Sequence, residues 1–137
     1  MNDDEMVQRL RSLYEAGDPE AFANATYEMA AEDMVQEWPQ SGERIRGRDN
    51  IAAVNQNYPA GSGTSPKASL RRILKPGDAW VIESVIDYGD GIPVSAVSII
   101  ETKDGKLVRQ TDYFANPFDA PAWRSQWVEK MEPVSVG

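Results

Sequence analysis

The chain has no cysteine and no histidine. The first absence excludes disulfide staples, thiolate nucleophiles and cysteine metal sites. The second removes Ser-His-Asp machinery, imidazole acid/base catalysis and the usual zinc, copper and iron ligand sets. Positive charge is also scarce: 14 Lys and Arg stand against 22 Asp and Glu, a formal net charge of -8. A field of that sign repels phosphate backbones, so nucleic acid is not an expected partner. No apolar run approaches the roughly 18 residues that a membrane-spanning helix needs. The opening Met1-Asn2-Asp3-Asp4-Glu5 has none of the basic and apolar character of a secretory leader. The expectation is a cytoplasmic protein with no membrane partner. Gly61 and Gly63 lack the Lys-Ser or Lys-Thr that follows a phosphate-binding loop. A metal would need several carboxylates to converge without histidine. Neither a cofactor nor a metal is therefore expected.

What is present suits one domain spanning residues 1–137, with 41% hydrophobic residues and four Trp to fill a core. Met6, Val7, Leu10, Leu13 and Tyr14 recur at helical spacing, and Gly17 closes that helix. Asp18-Pro19 opens a second helix, with Phe22, Ala23, Thr26, Tyr27 and Ala30 as its apolar stripe. A short strand over 34–38 turns back through Pro39 and Gly42 to 43–46, and a third helix opens near Arg48-Asp49. Residues 57–66, rich in Gly, Ser and Pro, read as a loop. Strands over about 67–74, 79–88, 93–101 and 106–114 follow, separated by Gly-Asp and Asp-Gly turns. A terminal helix over 122–130 would carry Trp123 and Trp127 at i,i+4, and 131–137 reads as a flexible tail. Helices followed by a meander of long strands predict an α+β domain. A strongly curved sheet closed by the helices would leave an interior for a ligand.

The run Leu107-Val108-Arg109-Gln110-Thr111-Asp112-Tyr113-Phe114 contains the most suggestive position. With a period of two, Val108, Gln110, Asp112 and Phe114 share the inward face, which carries a carboxylate into an apolar interior. Such a group must be hydrogen-bonded, paired or neutral. It either exchanges a proton with a ligand or accepts fixed hydrogen bonds as a structural element. Gln110 would point the same way and orient it. Glu37, before the Trp38-Pro39 turn, is the candidate second carboxylate, since two close carboxylates split into an acid and a base. Pairing with Arg44 or Arg46 across the hairpin is its other reading. Glu83 shares parity with Val81 and Val85, a face the pattern does not orient. Trp38, Tyr14, Tyr27 and Trp80 would form an aromatic wall or ordinary core. The cluster Lys67, Arg71, Arg72 and Lys75 reads as solvated surface or subunit-edge charge, with attraction of an anionic ligand as its other reading.

Several segments in this order are similar to one family: Ala16-Gly17-Asp18, Ala31-Glu32-Asp33 with Glu37-Trp38-Pro39, Ile45-Arg46-Gly47-Arg48, and Gly105-Lys106 followed by Thr111-Asp112-Tyr113-Phe114. Together they resemble the SnoaL-like branch of the nuclear transport factor 2-like superfamily, which includes steroid isomerases, epoxide hydrolases, polyketide cyclases and many non-enzymes. The resemblance implies a cone-shaped, curved, mixed but mostly antiparallel sheet packed on N-terminal helices, the cystatin-like roll, and a homodimer formed through the outer sheet. The steroid isomerase tyrosine, base and oxyanion-stabilising acid would fall at Leu10, Trp38 and about Val97, so that catalytic set is missing. The limonene-epoxide-hydrolase Asp-Tyr-Phe matches Asp112-Tyr113-Phe114, whereas its water-positioning residues correspond to Val35 and Glu37, and its Arg-x-Asp pair would fall near Ser84-Val85-Ile86.

The expected function is cofactor-independent isomerase, cyclase or hydrolase chemistry on an apolar carbonyl, enol or epoxide compound. Asp112 and Glu37 would be the acid/base pair, in a pocket that includes Gln110, Trp38, Glu83, Tyr14 and Phe114. The alternative is a noncatalytic ligand-binding or dimeric accessory domain. In both, the partner is a small apolar or weakly polar molecule.

Overall fold

Helix ends follow from local chemistry. In α1, Asp3–Ala16, the Asn2 side chain accepts from the Glu5 amide at 2.9 Å, and Gly17 stops the helix at φ 66°, a left-handed conformation its missing Cβ permits. Asp18 caps α2, Pro19–Met29, by accepting from the amides of Glu20 and Ala21. The computed structural model describes residues 1–62, 66–77 and 79–132. Within them follow β1, Ala30–Trp38; β2, Glu43–Arg46; α3, Arg48–Ser62; β3, Lys67–Leu74; β4, Ala79–Asp87; β5, Val94–Lys103; and β6, Lys106–Ala115. None of the described helices is long and apolar enough to cross a membrane.

The six strands form one sheet in the order β2-β1-β6-β5-β4-β3. β1 and β6 run parallel, and the other neighbours are antiparallel. This is the α+β architecture expected, a curved and mostly antiparallel sheet with the helices packed on it. At the β5–β6 hairpin Lys103 faces Lys106, and the two residues between them, Asp104 and Gly105, have φ 53° and 76°. Both central residues being left-handed is what a two-residue turn matched to strand twist demands. The core joins Met6, Val7 and Leu10 of α1 and Met29 of α2 to Ala30, Met34, Trp80, Ile82, Ile100 and Leu107 of the sheet.

Three expectations change. α3 runs to Ser62, through much of the segment read as a loop over 57–66, while 63–65 lie outside the described residues. Extending an established helix gains one hydrogen bond per residue fixed, except at Pro59, which has no N–H to donate. The expected terminal helix shrinks to a 3-10 turn, Ala122–Arg124, and Trp123 and Trp127 are each 73% exposed. A short helix without a surface on which to bury its apolar face is marginal in water. Of the tail, 133–137 lie outside the described residues. On β6 the inward residue near the strand's start is Leu107 rather than Val108. Thr102 pairs with Leu107 but Glu101 with Arg109, so an extra residue bulges and reverses the alternation there.

Candidate functional site

Beyond the bulge, alternation holds, and Gln110 and Asp112 share the face that looks toward the helices. Asp112 is 3% exposed and accepts four side-chain hydrogen bonds. Ser98 Oγ at 2.6 Å and Gln110 Nε2 at 2.8 Å donate to Oδ1. Gln36 Nε2 at 2.6 Å and Trp38 Nε1 at 3.0 Å donate to Oδ2. Register explains the convergence. Ser98 lies directly opposite Asp112 on β5, and the parallel β1–β6 pairing sets Gln36 against Gln110, which brings Trp38 alongside Asp112. A carboxylate oxygen has about two in-plane acceptor positions, so two donors on each oxygen occupy the group's normal capacity. Asp112 thus ties together β1, β5 and β6.

Tyr14 of α1 stands on the helix side of this cluster, with its ring edge-on to Phe22 at 5.0 Å between centroids. Burial, with the Asp112 charge nearby, pushes its phenol from 10.0 up to about 12, against a smaller lowering by the Ser84 hydroxyl. The group is neutral across the physiological range and remains a donor.

An open cleft of about 840 Å³ adjoins the cluster, lined by Trp38, Gln40, Ser41, Glu43, Tyr88, Asp90, Ile92, Val94, Phe114, Asn116 and Pro117. Its walls come from the β1–β2 turn, the β4–β5 connection and the end of β6. Trp38 belongs to both places, lining the cleft while its indole N–H donates to Asp112. The size lies within the ordinary range for small-molecule sites, roughly 300–1,000 Å³.

Of the candidate residues, the fold brings Asp112, Gln110 and Trp38 together, sets Tyr14 beside them and puts Phe114 on the cleft wall. Glu37 is not with them. As the neighbour of two inward residues, Gln36 and Trp38, it projects to the outer face and pairs there with Arg44 at 2.9 Å and with Arg109. The Arg44 hydrogen bond, outweighing a weaker contrary effect of burial and reinforced by the Arg109 charge, holds its carboxyl below the usual range. Glu83 is likewise outward, in ion pairs with Arg72 at 2.7 Å and Arg71 at 3.7 Å, and does not line the cleft. Tyr27, weighed for the core, is 37% exposed and bonds Asp49 at 2.5 Å. Sequence reasoning missed Gln36 and Ser98. Gln36 was available from its shared parity with Trp38, and Ser98 from its place between the inward Ala96 and Ile100. Among the described residues no three acidic side chains gather where a metal ion could be held.

The sequence profile of the SnoaL-like domain matches residues 7–110. Among solved structures, an NTF-2 like protein of unknown function from Burkholderia xenovorans LB400 is 35% identical, with a TM-score of 0.78 over 94% of this chain and 98% of that one. A protein from Kribbella flavida proposed to be a ketosteroid isomerase is 26% identical, with a TM-score of 0.74 over 94% of this chain and 89% of that one. A protein of ketosteroid isomerase-like fold from Catenulispora acidiphila, solved with trimethylamine, shares the fold at 19% identity and a TM-score of 0.59, over 81% and 85% of the two chains. A search of curated protein sequences finds no match. On the matched profile and the shared topology, the chain belongs to the SnoaL-like domain family of the NTF2-like superfamily.

Proposed function

We propose that this protein binds a small, mainly apolar molecule in the cleft beside Trp38, and that Asp112 is a positioning residue that holds the Trp38 wall in place. The observation that carries this reading is the saturated carboxylate. With two donors on each oxygen, Asp112 has no free acceptor position for a substrate proton, yet it fixes a residue that lines the cleft. In an ¹⁵N–¹H spectrum, 2-naphthol is expected to shift the Trp38 indole N–H, identified by its loss in Trp38→Phe. Phe114→Asp, which replaces apolar wall with charge, should weaken that binding by roughly tenfold, the equivalent of about one lost apolar contact surface. Equal affinity in Phe114→Asp would refute the site.

A second reading has Asp112 exchange a proton with an apolar carbonyl, enol or epoxide compound. The neutral Tyr14 hydroxyl favours it, because a donor held near the carboxylate suits a substrate oxygen. It requires one of the four donors to swing aside, and Gln36 reaches Asp112 from β1 through a flexible side chain. Conversion of a compound by the wild type and its loss in Asp112→Asn, with cleft binding retained, would establish this reading over simple binding.

We also propose a homodimer formed by the outer face of the sheet. Val97 and Tyr113 lie opposite one another on β5 and β6 and are 38% and 43% exposed, and the Arg109 ion pairs border them. Light scattering should give twice the chain mass for the wild type and a monomer for Val97→Asp. A wild-type monomer at micromolar concentration contradicts the proposal.

A further inference from the structure

We infer that the ligand of the cleft is an organic cation, an amine or quaternary ammonium group carried on a compact apolar body. This rests on reading the cleft as a ligand site and adds the sign of the ligand's charge. Three aromatic side chains, Trp38, Tyr88 and Phe114, line the cleft, and among the described residues its charged lining groups are Glu43 and Asp90. Among the described residues no Lys or Arg lines it.

The strand register explains that imbalance. Glu43 lies directly opposite Trp38 across the β1–β2 hairpin, so the two side chains share a face. The adjacent Arg44 lies opposite Glu37 and turns outward to pair with it. Alternation turns the adjacent Arg44 away from the cleft and leaves the Glu43 carboxylate in it. Asp90, in the β4–β5 connection, accepts from the Ile92 amide at 3.0 Å through Oδ1. Among the described residues neither Glu43 nor Asp90 is in an ion pair, whereas Glu37 and Glu83 on the outer face each pair with two arginines.

An anionic ligand would enter between two uncompensated carboxylates in a chain of formal charge -8, and would be repelled by both. A neutral ligand would meet the aromatic wall and make no use of the charge. A cation satisfies both features. Aromatic faces attract it through the ring quadrupole, and the two carboxylates supply the opposite charge at the rim.

The test uses three probes of one shape: choline, its uncharged carbon isostere 3,3-dimethylbutan-1-ol, and the anion 3,3-dimethylbutanoate. Each is titrated against the Trp38 indole N–H resonance. Choline should shift that resonance and saturate. The alcohol should bind roughly tenfold more weakly, the usual scale of a cation–aromatic contact with partial desolvation. The carboxylate should leave the resonance unmoved at the same concentration. Glu43→Gln with Asp90→Asn, which keeps the Asp90 acceptor for Ile92, should bring choline down to the alcohol's affinity. If the alcohol binds as tightly as choline, or the double variant keeps the preference for choline, the inference is overturned, and a 2-naphthol shift still in place leaves the ligand cleft standing. No response to choline, the alcohol or 2-naphthol would end both.

Discussion

Asp112→Leu is expected to lower the unfolding free energy by about 4 kcal/mol, because four donors from three strands would lose their acceptor in a dry interior, at roughly 1 kcal/mol each. Leucine keeps the branching of aspartate and leaves no cavity, although its methyl groups are larger than carboxylate oxygens and add some overpacking to the loss. For a chain of this size the unfolding midpoint should fall by roughly 10–15 °C. Asp112→Asn is the control. Its carbonyl keeps two donors, and its amide can donate to Gln36 once that side chain turns its own carbonyl inward, so about 1–2 kcal/mol should be lost. Thermal unfolding followed by near-ultraviolet circular dichroism measures both, and the indole N–H of Trp38 reports the local consequence. A midpoint unchanged in Asp112→Leu would mean that water satisfies the four donors and that the carboxylate does not organise the cleft wall.

The ends of the first two helices were legible because they depend on neighbours in sequence. Gly17 and Asp18-Pro19 carry their own conformational instructions, and the Asp104-Gly105 turn does the same. Asp112 was legible as an anomaly, a carboxylate on an apolar face. Its partners were harder to see. Gln36 and Trp38 lie 76 and 74 residues away and arrive only because β1 pairs in parallel with β6, a pairing that no hairpin signal announces. Placing both Glu37 and Trp38 in the pocket asked consecutive strand residues to face the same way, which a period of two forbids. Applied strictly, that rule selects Gln36 with Trp38 and sends Glu37 to the arginines. The β6 bulge is different. It moves Leu107 inward at the expense of Val108 through a register shift with β5, and two adjacent aliphatic residues contain nothing that says which will be turned in.

The carboxylate at the centre of the cluster also predicts an alkaline weakness in the fold. Tyr14 has its phenol raised from 10.0 to about 12, first by burial and then by the Asp112 charge. Raising the pKa of an acid in the folded state favours its neutral form there. The stabilisation is therefore complete below pH 10 and is lost as the pH climbs through the range up to about 12, where the unfolded chain has already ionised. A shift of this size corresponds to about 2–3 kcal/mol, at roughly 1.4 kcal/mol per pH unit. Lysines and the other tyrosines titrate in the same window, so the informative quantity is the stability difference between wild type and Tyr14→Phe, in which those contributions cancel. Urea unfolding should show the wild type ahead at pH 8 by about 1 kcal/mol, for the polar interaction of the buried hydroxyl with Ser84. That lead should reverse by pH 12, because phenylalanine has no proton to lose and removes a group whose ionisation would place a second negative charge beside Asp112. A difference that stays flat from pH 8 to 12 would mean that the Tyr14 hydroxyl already reaches water, and with it that the interior around Asp112 is wetter than four short hydrogen bonds require.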